Sequence, residues 1–303
     1  MKRKISVAIG DFQKQFGDYR ALEIAKEIGA DAVDFCIIFN DYRKKDDIYS
    51  KGDEEIIRYF KEVGEYAASI GIEIAQTHGR INGFKNDAVE DAATARNARL
   101  DCIATSALGA PYCVMHTVST IHMGADADPE LMQKINFDMF STILPFAKEY
   151  GIKIATETFG DAPKIGCCDF FGNIDEFIFG YDKISALKEY SDNFCVCLDP
   201  GHTNKATRFN NPSVPEVIRM LGDKIECLHL NDNDTLTDQH KIPMTGTINW
   251  KETFDALDEI GYSGIYNMEL ALNHFGRGFE FETAEFAIKV MRKMLTDRYG
   301  CEE

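Results

Sequence analysis

Short apolar runs alternate with longer amphipathic stretches along the whole chain. Eight runs rich in β-branched residues predict strands, and eight stretches with apolar residues every three or four positions predict helices. The predicted strands cover residues 4–9, 32–38, 72–77, 112–116, 152–157, 194–199, 225–230 and 264–270. The predicted helices cover residues 19–28, 54–70, 88–108, 129–150, 183–190, 214–221, 250–260 and 282–298.

Several predicted helices end in the same way, with a glycine that is followed at once by the next strand. The pattern occurs in EIGADAV, SIGIEI, EYGIKI and EIGYSGI, and glycine suits it because it adopts a left-handed conformation without a Cβ penalty. Strands that are apolar throughout are typical of a parallel sheet, which is buried on both faces. The pattern therefore predicts an α/β protein, a single (β/α)8 TIM barrel over residues 1–303. A doubly wound sheet is less favoured because IGDFQKQFG, and no GxGxxG motif, follows the first strand.

The composition narrows the range of partners. The chain has 33 Lys and Arg against 50 Asp and Glu, a formal net charge of −17. Nucleic acids and anionic membranes bind clustered basic side chains, so we expect neither as a partner. No apolar stretch is long enough for a secretory signal or a membrane span, and the nine cysteines form no CxxC pair. We therefore expect a cytoplasmic protein with reduced thiols.

Metal-ligating and acid–base residue types lie at or just after the ends of six successive predicted strands. The carboxyl ends of barrel strands meet on one face, so these side chains are expected to converge. A single histidine there could simply be hydrogen-bonded and partly buried, but the recurrence favours a shared site. In chain order the residues are His78, His116, Glu157, Asp199, His202, His229, Asp238, His240 and Glu269.

Two glutamates, one aspartate and one histidine that converge on one point form an oxygen-rich ligand set. Such a set suits Mn²⁺ best, with Mg²⁺, Co²⁺ or Zn²⁺ as alternatives, and leaves positions open for water or substrate oxygens. We therefore expect one divalent metal ion as the cofactor.

The chain resembles the xylose isomerase-like TIM barrels of the sugar phosphate isomerase/epimerase family. This family includes ketose 3-epimerases and inosose-processing enzymes, and it shares its barrel with endonuclease IV. Each motif alone is weak, but their order and spacing are specific, and the likeness covers nearly the whole chain. The motifs are THG at 77–79, TETFG at 156–160, LDPGHTN at 198–204, HLNDND at 229–234, DQHKIPMTGTINW at 238–250 and MEL at 268–270.

The resemblance implies a metal site and two acid–base groups. In the epimerases of the family a Glu, Asp, His, Glu quartet at the ends of the last four strands binds one divalent ion. The two glutamates also act as the catalytic acid and base, which implies these roles for Glu157 and Glu269. The implied metal ligands are Glu157, Asp199, His229 and Glu269, and the expected substrate-binding residues are His78, His116, His202 and His240.

Endonuclease IV provides an alternative interpretation, because it uses a larger ligand set for three zinc ions. Its pattern is also matched by His78, His116, Asp238 and His240, so Asp238 and His240 are candidate ligands of an additional ion. A DNA-repair enzyme needs a basic rim to bind phosphates, and the net charge of −17 therefore favours the sugar enzyme.

The predicted activity is isomerisation or epimerisation of a ketose or polyol ketone, by proton transfer through a metal-stabilised enediolate. A zinc phosphodiesterase acting on abasic DNA, a non-catalytic sugar-binding barrel and a dehydratase are the alternatives. We expect a small, unphosphorylated sugar or polyol as the substrate, because no Lys/Arg cluster follows the seventh and eighth strands. The sequence leaves open which sugar it is and whether the chain forms a homo-oligomer.

Overall fold

Eight parallel strands alternate with helices in the computed structural model, which describes residues 3–300. Each predicted strand overlaps one of these eight strands. Two short strands, β6 and β7, were not predicted and pair as an antiparallel hairpin. The strands are β1 (Ile5–Ala8), β2 (Ala32–Cys36), β3 (Glu73–His78), β4 (Tyr112–Met115), β5 (Lys153–Glu157), β6 (Asp161–Ala162), β7 (Cys167–Cys168), β8 (Phe194–Leu198), β9 (Ile225–Leu228) and β10 (Tyr266–Met268).

The helices surround this sheet. Among the described residues, no helix combines the length and the apolar composition that are needed to cross a membrane. The helices are α1 (Gly10–Phe16), α2 (Asp18–Glu27), α3 (Asp53–Ser69), α4 (Ala88–Leu108), α5 (Thr120–Met123), α6 (Pro129–Glu149), α7 (Ile174–Ser185), α8 (Pro200–Ala206), α9 (Val214–Leu221), α10 (Trp250–Glu259) and α11 (Glu280–Tyr299).

The parallel strands close into a barrel. Their order is β10-β1-β2-β3-β4-β5-β8-β9, and every neighbouring pair in this order is parallel. A parallel bridge between Leu230 and Met268 joins the two outer strands just beyond the end of β9. This arrangement confirms the prediction of a single (β/α)8 TIM barrel.

The glycines that follow the helices have the predicted left-handed backbone. Gly29, Gly71, Gly151 and Gly261 have φ angles of 86°, 74°, 68° and 73°. After Gly29, Gly71 and Gly151 the next strand begins within three residues, whereas β10 begins five residues after Gly261. Glycine suits these turns because a residue without Cβ has no steric penalty there.

Small apolar residues fill the barrel interior. They form a cluster of buried side chains beside the larger core between the sheet and the helices. Two of them, Cys195 and Cys197, lie two positions apart in β8 and so point to the same face. The cluster contains Val114, Ala155, Cys195, Cys197 and Cys227.

One predicted helix is wrong in its position. The helix expected at residues 183–190 is α7, which begins at Ile174, where the Asn173 side chain accepts a hydrogen bond from the Asp175 backbone N–H. Its buried residues include Ile174, Phe177 and Ile184, which have helical spacing. The capping asparagine and this spacing are the signals that locate the helix correctly. Helices α1, α5 and α8 were not predicted either, because they are short segments within loops.

Candidate active site

The predicted site residues lie at the carboxyl ends of the barrel strands. His78 and Glu157 are the last residues of β3 and β5. Asp199, His229 and Glu269 directly follow β8, β9 and β10. Barrel closure therefore brings together side chains that are far apart in sequence.

Four of these residues form a compact group of potential metal ligands. Glu157, Asp199, His229 and Glu269 each offer a ligand atom, and these atoms all lie within 4.8 Å of one another. The Nδ1 atom of His229 lies 3.3 Å from Oε2 of Glu157 and 3.3 Å from Oε2 of Glu269. The first three residues are fully buried.

The key donor atoms of this group make no well-aligned hydrogen bond, although histidine ring nitrogens lie 3.1–3.3 Å from the Glu157 oxygens. Within the described part of the chain, Oε1 and Oε2 of Glu157 and Nδ1 of His229 make no hydrogen bond. Leaving a buried carboxylate unpaired is costly, so buried polar groups almost always have a partner. A divalent cation would satisfy all three atoms, and the mixed oxygen and nitrogen donors suit such an ion. The residues present therefore fit a metal ion.

The two glutamates are held in their ionised form. Burial raises the pKa of Glu157, but the neighbouring imidazoles of His229 and His116 outweigh it and hold this pKa well below its usual range. Burial also opposes ionisation of Glu269, and His229 and His78 likewise hold its pKa well below the usual range. Ionised carboxylates are the form that binds a cation.

A buried aspartate that sequence analysis missed orients His229. Nε2 of His229 lies 2.9 Å from Oδ2 of Asp34, an oxygen that also accepts a hydrogen bond of 2.9 Å from Gln76. Asn267 donates to the same oxygen at 3.3 Å. When Nε2 donates to Asp34, a metal ion at Nδ1 of His229 would take the place of the proton that the neighbouring carboxylates favour there. The sequence signal that could have identified Asp34 was its carboxylate in the middle of the otherwise apolar strand AVDFC.

Asp199 is held by two separate contacts. Its Oδ2 atom accepts a hydrogen bond of 2.8 Å from Asn231, and its Oδ1 atom accepts one of 2.8 Å from the His202 backbone N–H. The second contact caps the start of α8. Both contacts orient the carboxylate before any ligand binds.

The four histidines expected to bind substrate surround the two glutamates. His116 Nε2 lies 3.1 Å and His202 Nδ1 lies 3.2 Å from the Glu157 carboxylate. His78 Nε2 lies 3.2 Å and His240 Nδ1 lies 3.7 Å from the Glu269 carboxylate. All four histidines line a cavity of about 280 Å³, which also contacts Asp34, Asp238 and Glu269.

The far side of this cavity has a different character. It is lined by apolar side chains of the loops that follow β2, β3 and β10, including Phe39, Ile81 and Leu270. Lys14 lies with its ammonium 4.1 Å from the centroid of the Phe39 ring. Among the described residues, Lys14 is the one Lys or Arg side chain in the cavity wall. The cavity thus combines polar groups on one side with an apolar wall on the other.

Asp238 and His240 belong to the long loop between β9 and α10. Asp238 Oδ2 lies 3.3 Å from His240 Nε2 and 3.5 Å from His202 Nε2. Burial lowers the pKa of His240, but the hydrogen bond to Asp238 and the charge of Glu269 raise it to about 9. The His240 backbone has a φ angle of 45°, an uncommon value for a residue other than glycine. Strained backbone of this kind is concentrated at functional sites.

A buried aspartate holds this loop in place. Asp232 accepts hydrogen bonds from the backbone N–H groups of Met244 and Ile248, at 3.1 and 3.2 Å. The indole Nε1 of Trp250 also donates to it at 2.8 Å. Trp250 therefore anchors the loop that carries Asp238 and His240 through a hydrogen bond as well as through packing.

Removal of the indole donor should weaken this anchor. Trp250→Phe keeps most of the apolar packing but leaves a buried carboxylate oxygen with one donor fewer, which costs about 1–3 kcal/mol. Urea unfolding should therefore give a lower free energy of unfolding for this variant. Equal stability of Trp250→Phe and the parent would contradict this role of the indole.

Two relatives share local sequence with the chain. Inosose isomerase of Bacillus subtilis is 26% identical over 174 residues, which are 55% of this chain and 56% of that protein. An uncharacterised protein of Methanocaldococcus jannaschii is 31% identical over 141 residues, 44% of this chain and 42% of that protein. The chain spans about half the length of the relatives it matches in this way.

Solved structures with the same fold cover nearly the whole chain. D-psicose 3-epimerase of Clostridium cellulolyticum H10, solved with D-tagatose, has a TM-score of 0.72 at 15% identity over 96% of this chain and 99% of its own. The IOLI protein, solved with a bound zinc atom, has a TM-score of 0.70 at 19% identity over 97% of both chains. At these identities the likeness establishes the fold alone. A family profile matches residues 22–294, and the chain therefore belongs to the xylose isomerase-like TIM barrel family.

Proposed function

We propose that the chain is a metal-dependent isomerase or epimerase of a ketose or polyol ketone. The observation that carries this proposal is the compact group of four ligand residues around the buried Glu157 carboxylate, which has histidines and no lysine or arginine beside it among the described residues. Inosose isomerase of Bacillus subtilis and the D-psicose 3-epimerase act on sugars or polyol ketones, as their names state, which supports the same substrate class.

The ligands in this proposal are Glu157, Asp199, His229 and Glu269, and the expected ion is Mn²⁺. The zinc atom in the IOLI structure supports a divalent ion at such a site without identifying the ion used here. When bound, the ion would act as a Lewis acid that favours negative charge on a substrate carbonyl oxygen.

Glu157 and Glu269 are the acid and the base in this proposal. Both carboxylates lie 3.3 Å from the same His229 nitrogen, so a substrate carbon near this point could exchange protons with either. One glutamate removes the proton next to the carbonyl, and the other, after it has taken up a proton from solvent water, returns a proton. Return to the same carbon on the opposite face gives epimerisation, and return to the neighbouring carbon gives isomerisation.

The four surrounding histidines bind substrate hydroxyl groups in this proposal. His78, His116, His202 and His240 offer ring nitrogens around the cavity, and their carboxylate contacts orient the rings. Imidazoles at fixed positions suit a polyol because each can donate to one oxygen or accept from one hydroxyl. The cavity of about 280 Å³ matches a small-molecule substrate.

A zinc phosphodiesterase is the second candidate. It is supported by a further group of potential ligands, Asp199, His202 and His240, whose donor atoms also lie within 4.8 Å of one another. Against it stand the net charge of −17 and the single lysine in the described cavity wall. A phosphate backbone would need more basic contacts than this.

Metal content and proton exchange together test the proposal. We expect the purified protein, reloaded with Mn²⁺, to bind one ion per chain and to exchange a substrate proton with deuterated water. A panel of unphosphorylated ketoses and keto-inositols followed by NMR would identify the substrate. Hydrolysis of DNA that contains abasic sites, with three bound zinc ions, would support the second candidate instead. Metal-loaded protein that neither exchanges substrate protons nor hydrolyses DNA would contradict both candidates.

A cytoplasmic location stays a prediction, and reduced thiols would be consistent with it.

Asp34 should control the affinity for the ion. Asp34→Asn removes the carboxylate that orients His229, and loss of such a partner weakens metal binding by about 10- to 100-fold. Competition with a fluorescent chelator measures this affinity in the folded protein. Asp223→Asn, in the turn that precedes β9 at the other end of the barrel, is the matched control and should leave affinity unchanged. Equal affinity of Asp34→Asn and the parent would refute this role.

A further inference from the structure

A lysine that no function above uses is buried beside the active site. Lys205 lies in α8, and its side chain is 2% exposed. Lysine is almost never fully buried unless it is paired with a negative charge. Its Nζ atom lies 2.7 Å from Oδ1 of Asp161 and 3.4 Å from Oδ1 of Asp238.

The charges of Lys205 and of the charged side chains around it balance. Asp161 is shared, because its other oxygen accepts a hydrogen bond of 2.6 Å from Arg208. One carboxylate thus serves two cations, and Asp238 supplies the second negative charge. Lys205, Arg208, Asp161 and Asp238 then carry equal positive and negative charge. The Asp238 carboxylate is therefore already neutralised by the protein itself.

The metal quartet is different. Among residues 3–300, no lysine or arginine forms an ion pair with the carboxylates of the quartet, which are Glu157, Asp199 and Glu269. The charged neighbours of these carboxylates are histidines. The charge of these three carboxylates is thus offset by titratable histidines and not by a permanent cation. A divalent ion would replace the histidine protons here, whereas the Asp238 corner already holds the permanent charge of Lys205.

The Asp238 corner otherwise has the composition of a second metal site. Asp199, His202 and His240 form a group of potential ligands, and Asp238 lies within 3.5 Å of a ring nitrogen of both histidines. The Asp238 side chain is 38% exposed and lines the cavity, so an ion could reach it. Lys205 is the feature that opposes an ion there, because its ammonium group lies 3.4 Å from the Asp238 carboxylate and would repel a divalent cation.

We propose that Lys205 is a built-in cation that takes the place of a second metal ion, so that the active site binds one divalent ion per chain. Asp238 is then free to hold the rings of His202 and His240 towards substrate rather than to bind metal. This inference rests on the part of the proposed function in which the quartet binds the first ion.

Metal stoichiometry tests the inference without a known substrate. Lys205→Met and Lys205→Gln both remove the charge, and the glutamine also keeps a hydrogen-bond donor for the two carboxylates in case the methionine variant fails to fold. Lys205→Arg is the matched control because it keeps the charge. Each protein is stripped with a chelator, dialysed against excess Mn²⁺ or Zn²⁺ and analysed for bound metal per folded chain.

The parent and Lys205→Arg should bind one ion, and the neutral variants should bind two. Adding Asp238→Asn to a neutral variant should return the count to one. The proposal is overturned if the parent binds two or more ions, or if neither neutral variant gains one. A parent that binds none overturns both this inference and the metal site of the proposed function. If a neutral variant gains an ion but the parent never exchanges substrate protons, the proposed activity is refuted and the role of Lys205 still holds.

Discussion

Glu157→Gln and Glu269→Gln should each lower the rate of substrate proton exchange with deuterated water by about 10²- to 10⁴-fold. Glutamine has nearly the same size as glutamate and keeps an oxygen that can bind metal, but it cannot accept a proton at neutral pH. The loss should therefore be in the rate of the chemical step. NMR of substrate from the ketose panel, incubated with metal-loaded enzyme, measures this rate.

Metal content must be measured in the same samples, because both glutamates are also proposed ligands. Glu73→Gln is the matched control. Glu73 begins β3, at the opposite end of the strand from His78, and its side chain is exposed. It should leave exchange unchanged. Undiminished exchange in both glutamine variants with bound metal would rule out the acid–base assignment.

Combined substitution of Asp199→Ala and His229→Ala should abolish metal binding. It removes two of the four ligands, including the nitrogen that lies 3.3 Å from both glutamates. A ligand that binds only the folded state stabilises it, by about 2.7 kcal/mol at a concentration one hundred times the Kd. Added Mn²⁺ should therefore raise the free energy of unfolding of the parent by about this amount and leave that of the variant unchanged.

The control for this variant removes one aspartate and one histidine outside the cavity. Asp192 and His122 are exposed, and neither lines the cavity. Asp192→Ala with His122→Ala should keep one ion per chain and the full stabilisation by Mn²⁺. One bound ion in the Asp199→Ala, His229→Ala variant would show that the ion binds elsewhere.

Most of the barrel could be predicted from local patterns. The eight parallel strands and seven of the eleven described helices follow from apolar periodicity and from glycines such as Gly29 and Gly71 at the helix ends. The position of α7 was missed because it lies within a long segment after β5, where the capping signal at Asn173 was overlooked. The hairpin of β6 and β7 has two-residue strands, which are too short for a detectable alternation.

The candidate site could be predicted only as far as residue types at strand ends allow. His229 was recognisable from its position, whereas its partner Asp34 lies 195 residues earlier in the chain and within a strand. Lys205 likewise has no local signal in the sequence, because its partners Asp161 and Asp238 lie on other segments of the chain. The hydrogen bond between Trp250 and Asp232 likewise joins the two ends of the loop between β9 and α10, and no local pattern predicts it.

By itself, the sequence determined the order of the strands and helices, the fold class and the set of strand ends that carry polar groups. These features depend on residues that are near one another in the chain, so they leave a periodic pattern. Only the tertiary structure decided which polar groups meet. It placed the Glu157 oxygens beside ring nitrogens of His116, His202 and His229, and it paired Asp238 with a buried lysine. Those distances depend on closure of the barrel, which brings distant segments together and has no local signature.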